Sequence, residues 1–130
     1  MRWTRKAAVV GSVIVAGLGV TAAPAQASSN VGWLYSVNNA GAVFFDADLN
    51  DDSRIEKITV CDNKSDGRGI EAKVYGITVN MAWQVADPSH DGKCVSYQGD
   101  LFVEETRVQV AVWEYAGTWR STAEYAIGVA

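Results

Sequence analysis

From Ile77 to Val85 the chain reads ITVNMAWQV, and apolar and polar residues alternate along it. Ile77, Val79, Met81, Trp83 and Val85 fall on one side; Thr78, Asn80, Ala82 and Gln84 fall on the other. A two-residue period is the signature of a half-buried strand, because successive side chains on extended backbone point to opposite faces. The period recurs. RGIEAKVYG sets Ile70, Ala72 and Val74 against Glu71, Lys73 and Tyr75. TRVQVAVWEY sets Val108, Val110 and Val112 against Arg107, Gln109, Ala111, Trp113 and Tyr115. TWRSTAEYAIGV sets Trp119, Ala123, Tyr125 and Ile127 against Thr118, Arg120, Thr122 and Glu124. WLYSV, GAVFFDAD, RIEKITVCD and KCVSYQ are shorter candidates. Turn signals separate them: Asn38-Asn39-Ala40-Gly41, Asp66-Gly67, Asp87-Pro88, Asp91-Gly92 and Ala116-Gly117. No sustained 3.6-residue period follows the N-terminal segment. About seven to eight short strands at this spacing predict an all-β fold, an antiparallel β-sandwich of Ig-like or small barrel-like form.

The N-terminal segment is of another kind. Arg2, Arg5 and Lys6 precede the apolar run Ala7 to Val20, which is followed by Pro24 and Ala25-Gln26-Ala27. The apolar run falls short of the roughly 20 residues that span a bilayer. Basic, apolar and small-x-small parts in that order predict a secretory signal peptide over residues 1–27. The expected mature domain, residues 28–130, then starts at Ser28, is secreted to the extracellular space and carries no membrane anchor. Ser28 to Gly32 reads as a loose N-terminus.

Export changes the charge. The chain has 11 basic and 15 acidic residues; without Arg2, Arg5 and Lys6, eight basic residues face the 15 acids, a net of −7. An acidic surface repels phosphate backbones, so nucleic acid is not an expected partner. Cys61 and Cys94 are the two cysteines. In an oxidising compartment such a pair predicts a disulfide. It closes a loop of about 34 residues, for which chain entropy gives roughly 3.5 to 4 kcal/mol.

The acidic run DADLNDDSRIE, Asp46 to Glu56, admits two readings. In a twelve-position calcium loop Asp46, Asp48 and Asn50 stand where ligands belong. Asp51 then replaces the required glycine, and Lys57 replaces the terminal carboxylate. As a hairpin tip the run is consistent throughout. One register pairs Phe45 with Ile58 and Val43 with Val60 on one face, and Asp46 with Lys57 and Phe44 with Thr59 on the other. The hairpin is the expectation. A weak ion at Asp48, Asp51 and Asp52 is the residual metal candidate, and no cofactor is expected.

Little favours catalysis. His90 is the single histidine, in DPSHDG, and adjacent Ser89, His90 and Asp91 do not make a triad, whose members converge from separate places. No enzyme activity is expected. Aromatic residues are the better lead. If the Val108, Val110, Val112 face points inward, Trp113 and Tyr115 are exposed together with Arg107, a candidate contact for an extracellular protein or glycan. Trp83 and Trp119 fall on apolar faces and are expected in the core.

Val60, Cys61, Asp62, Asp66 and Gly67 form a Val-Cys-Asp-x-x-x-Asp-Gly string, a strand end carrying a disulfide half before a tight turn. With the leader, Cys94 and the C-terminal tryptophan, it resembles the small secreted proteins of actinobacteria such as streptomycetes. That resemblance implies secretion, a compact β fold and a Cys61–Cys94 bridge, and transfers no activity. The expected role is a monomeric, non-catalytic extracellular interaction or structural module. The alternatives are a carbohydrate-binding module using Trp113 and Tyr115, and a secreted enzyme inhibitor presenting the loop Asp87 to Lys93.

Overall fold

The computed structural model describes residues 27–130. The expected signal segment, up to its last residue, lies outside the described residues. Nine strands form two antiparallel sheets packed face to face: β1 (Val31–Tyr35), β2 (Gly41–Asp46), β3 (Glu56–Asp62), β4 (Gly69–Gly76), β5 (Ala82–Asp87), β6 (Val95–Gly99), β7 (Arg107–Ala116), β8 (Trp119–Arg120) and β9 (Glu124–Val129). One sheet has the order β1-β2-β3-β6; the other runs β5-β4-β7, with β8 and β9 both pairing with β7. The fold is the expected β-sandwich.

Inward residues come from alternate positions of each strand. Val43, Phe45, Ile58 and Val60 of the first sheet meet Ile70, Ala72, Val74, Val108, Val110 and Val112 of the second. All ten are almost completely buried. The β2–β3 register is the one the sequence predicts, from Val43↔Val60 to Asp46↔Lys57. Asn50 and Asp51 turn the tip with left-handed backbone, and the Leu49 N–H donates to the Ile55 carbonyl at 2.9 Å. The residual metal candidate, Asp48, Asp51 and Asp52, lies at this tip. The Asp52 carboxylate is held by the Arg54 guanidinium at 3.0 Å. Among the described residues no three His, Cys, Asp or Glu side chains are placed to share an ion.

Several expectations change. The alternating run from Ile77 is not one strand. The last β4–β5 pair is Tyr75↔Ala82, so residues 76–81 form the hairpin connection, closed by the Gly76 N–H on the Met81 carbonyl. Ile77, Val79 and Met81 are exposed there. Trp83 keeps its inward place, half-buried against the core, with its indole N–H on the Leu101 carbonyl at 2.9 Å. The C-terminal run divides into β8 and β9, and its bulky side chains point outward. A side chain at Gly128 would meet the Ser29 carbonyl at 2.8 Å and Val31 at 3.0 Å. β9 lies too close to β1 for large inward residues, so Ala126 and Gly128 face in while Tyr125 and Ile127 face water. Trp119, expected in the core, is 44% exposed and lies under the Arg68 guanidinium at 4.5 Å. The N-terminus is not loose either. Ser29 exchanges two backbone hydrogen bonds with Val129, and Val31 is buried.

The disulfide Cys61–Cys94 is present. Its Cα atoms are 4.4 Å apart, one step beyond the last β3–β6 pair, Val60↔Val95. It is therefore a cross-strand bond within one sheet, at the spacing of a non-hydrogen-bonded antiparallel pair. A disulfide accords with an oxidising compartment. No helix among the described residues is long and apolar enough to cross a membrane.

Two of the buried acids carry an oxygen without a partner. Glu56 is fully buried at the start of β3; its Oε2 accepts the Leu101 N–H at 2.7 Å, and its Oε1 has no partner. Asp62, at the other end of β3, is 5% exposed and its Oδ2 has no partner. Burial raises both carboxyls above their ordinary values, and for Asp62 the nearby Asp87 and Asp66 charges add to it. Each holds its proton more tightly folded than unfolded. The stability this provides is complete below the unfolded values of about 4 and is lost as pH rises through the folded ones. Thermal melts should therefore show wild type losing ground to the Glu56→Gln, Asp62→Asn double variant as pH increases above about 4. A constant difference at all pH values would exclude these carboxyls as the source.

Candidate functional site

The outward face of β4, β5, β7 and β9 holds the sequence-predicted contact residues. With Val108, Val110 and Val112 inward, Trp113 and Tyr115 do point outward, as expected. They are half-buried rather than exposed, and the reason is Glu71. Cross-strand register places Glu71 beside Trp113 on one side and Ala86 on the other. Although it lies on an outward face, Glu71 is 7% exposed. Its Oε2 accepts the Trp113 indole N–H at 2.9 Å and pairs with the Arg120 Nε at 3.2 Å. Its Oε1 accepts from the Gln84 amide. Three neighbours thus fold over one carboxylate and shield it.

Tyr115 is held from two sides. It stands opposite Gly69, where an added Cβ would lie 2.5 Å from its ring, so the phenol lies across the glycine backbone. The Arg120 guanidinium sits 5.3 Å from the same ring. Burial, followed by the charge of Glu71, raises the phenol above its ordinary value. Arg120 therefore links the two aromatic residues, ion-paired to Glu71 and stacked over Tyr115.

Arg107 does not join them. It is exposed at the opposite end of β7, six residues from Trp113 and so roughly 20 Å away at about 3.3 Å per residue. Between them on the same outward face, register puts Tyr125 beside Ala111 and Ile127 beside Gln109. They are 57% and 48% exposed. Tyr75 joins the same face through its hydroxyl bond to Gln109. The result is an aromatic and aliphatic surface that runs along the sheet from a fixed indole at one end.

Glu71, Arg120 and Gln84 escape a reading of the sequence, because charged residues at outward strand positions normally belong to water. The one visible signal is alternation itself, which puts Glu71 and Trp113 on outward faces of their strands without saying that those strands are neighbours.

The loop Asp87 to Lys93 forms a different end of the molecule. Asp87 is buried and its Oδ2 accepts the Asp62 N–H at 2.9 Å. The His90 Nδ1 lies 3.0 Å from the Asp62 carbonyl. His90 is thus engaged with backbone, and residues 88–93 stand exposed between this anchor and the disulfide. A recess of about 260 Å³ separates Pro88, Ser89 and His90 from Lys64 to Arg68. No protein-family model matches the chain, and no curated protein matches it in sequence.

Proposed function

We propose that this protein is a secreted, monomeric, non-catalytic interaction module of the small actinobacterial type, and that the outward face of the β4–β5–β7–β9 sheet is its contact surface for an extracellular protein. The observation that supports this reading is the shielded Glu71. A surface indole held at its N–H edge by a carboxylate, itself held by Arg120 and Gln84, loses little conformational freedom when a partner covers it. Rigid aromatic and arginine side chains with exposed aliphatic neighbours are the composition of binding hot spots.

The test is capture from the producing organism's culture medium and cell-envelope fraction. Wild-type protein immobilised through its N-terminus should retain a partner that Trp113→Ala loses, with a deficit of at least about 2 kcal/mol, roughly thirtyfold in Kd. Tyr125→Ala should weaken it as well, while Arg107→Ala, at the far end of β7, should not. Thermal melts control for folding. Equal capture by all three variants would move the contact surface elsewhere.

A further inference from the structure

The opposite face of the sandwich carries a second recess of different chemistry. Trp33 and Tyr35 are successive outward side chains of the edge strand β1, 48% and 49% exposed. Tyr35 pairs with Ala42, and Ala42 pairs with Cys61, so one row across the sheet reads Tyr35, Ala42, Cys61. Ala42 is 1% exposed and rises no higher than its methyl group. It forms a low floor between the aromatic residues and the disulfide. Trp33 stands one row along, braced edge-to-face on Phe44 with ring centres 5.4 Å apart. Asn63, just beyond β3, is exposed and closes the end. These residues enclose about 220 Å³.

We propose that this recess binds one ring of a neutral glycan. Its walls are flat and aromatic, matching the C–H face of a sugar ring. Its rim offers the Asn63 amide, both donor and acceptor, and the Tyr35 hydroxyl, which together suit vicinal hydroxyl groups. No charged side chain lines it. The surrounding domain has eight basic against 15 acidic residues, which disfavours uronic or sulfated glycans. The volume falls below the roughly 300 to 1,000 Å³ of sites that enclose drug-sized ligands, so a single ring enters and the rest of a chain lies along the sheet. The braced Trp33 is held ready, since Phe44 supports the indole from below. This site is separate from the Trp113 surface, which belongs to the other sheet.

The experiment titrates the oxidised secreted protein with cellohexaose, chitohexaose and mannohexaose, with oligogalacturonate as the anionic comparison. Nitrogen-edited NMR follows the Trp33 indole N–H and the Asn63 side-chain amide, and calorimetry gives the affinity. At least one neutral oligosaccharide should move both signals. Trp33→Ala should weaken its binding at least about tenfold. Asn63→Ala, which alters only an exposed side chain, should weaken it while leaving the thermal midpoint in place. Trp113→Ala should leave sugar binding intact, so protein capture and sugar binding fail separately. The proposal is overturned if no neutral oligosaccharide moves the two signals, if binding survives in Trp33→Ala, or if oligogalacturonate binds there more tightly than the neutral chains.

Discussion

Removal of the disulfide in a Cys61→Ala, Cys94→Ala variant is expected to lower the unfolding free energy by about 3 to 4 kcal/mol, and reduction of the wild type should do the same. The bond closes a loop with a sequence separation of 33, so much of the effect comes from the greater freedom of the unfolded chain. Its position adds to this. β6 is an edge strand whose residues Val95 to Gln98 are all exposed, and its ladder to β3 is five pairs long. Apart from that ladder and the disulfide, the stacking of Tyr97 on Trp83, with ring centres 5.3 Å apart, ties it to the other sheet. Without the disulfide, β6 should lose amide protection well before β2, β3 or β7. Denaturant titration and hydrogen exchange test both parts. An unchanged midpoint, or protection lost uniformly, would show that the bond is not what retains this strand.

The second large effect is at Phe45. Its side chain is fully buried, packs edge-to-face on Phe102 with centroids 6.4 Å apart, and lies 3.6 Å from the Cβ position of Gly128. It therefore joins β2, β9 and the segment following β6 at one point. Phe45→Ala should cost about 3 to 5 kcal/mol, the transfer term plus the cavity left by the lost ring. For a domain with a total stability of about 5 to 15 kcal/mol this is a large fraction. Its neighbour Phe44 supplies the control. It points outward under Trp33, and Phe44→Ala should cost about 1 kcal/mol or less. If the costs were reversed, the face assignment of β2 would be wrong, and with it the packing of the first sheet.

Residues whose partners lie close in sequence were legible. Lys57 breaks the calcium-loop pattern and stands opposite Asp46 in the hairpin, so one residue points to a register that the structure reproduces. The valine face of β7 was equally plain. What failed depended on distant backbone. Ile77, Val79 and Met81 alternate as a strand does, but alternation cannot show where β4 stops, and they extend past the last pair. Tyr125 and Ile127 belong to an alternating apolar row, but the approach of β1 reserves the inward places of β9 for Ala126 and Gly128. Glu56 is a buried carboxylate because the Leu101 N–H arrives from 45 positions away. Glu71 is shielded by Trp113, which is 42 positions distant. In both, pattern indicates the face at most, and tertiary placement supplies the meaning.

The two hydrogen bonds between Ser29 and Val129 make the molecule unequal on its two sides. Along β1 and β9 the sheets share backbone bonds, as pages share a spine. Along β5 and β6 they meet through side chains, chiefly Trp83 and Tyr97, and the disulfide, lying within one sheet, does not sew them together. Low-energy openings should therefore swing about the spine, with the β5–β6 margin parting first. The Trp33 recess and the Trp113 surface each lie on a single outer cover, so neither is remade when the book opens.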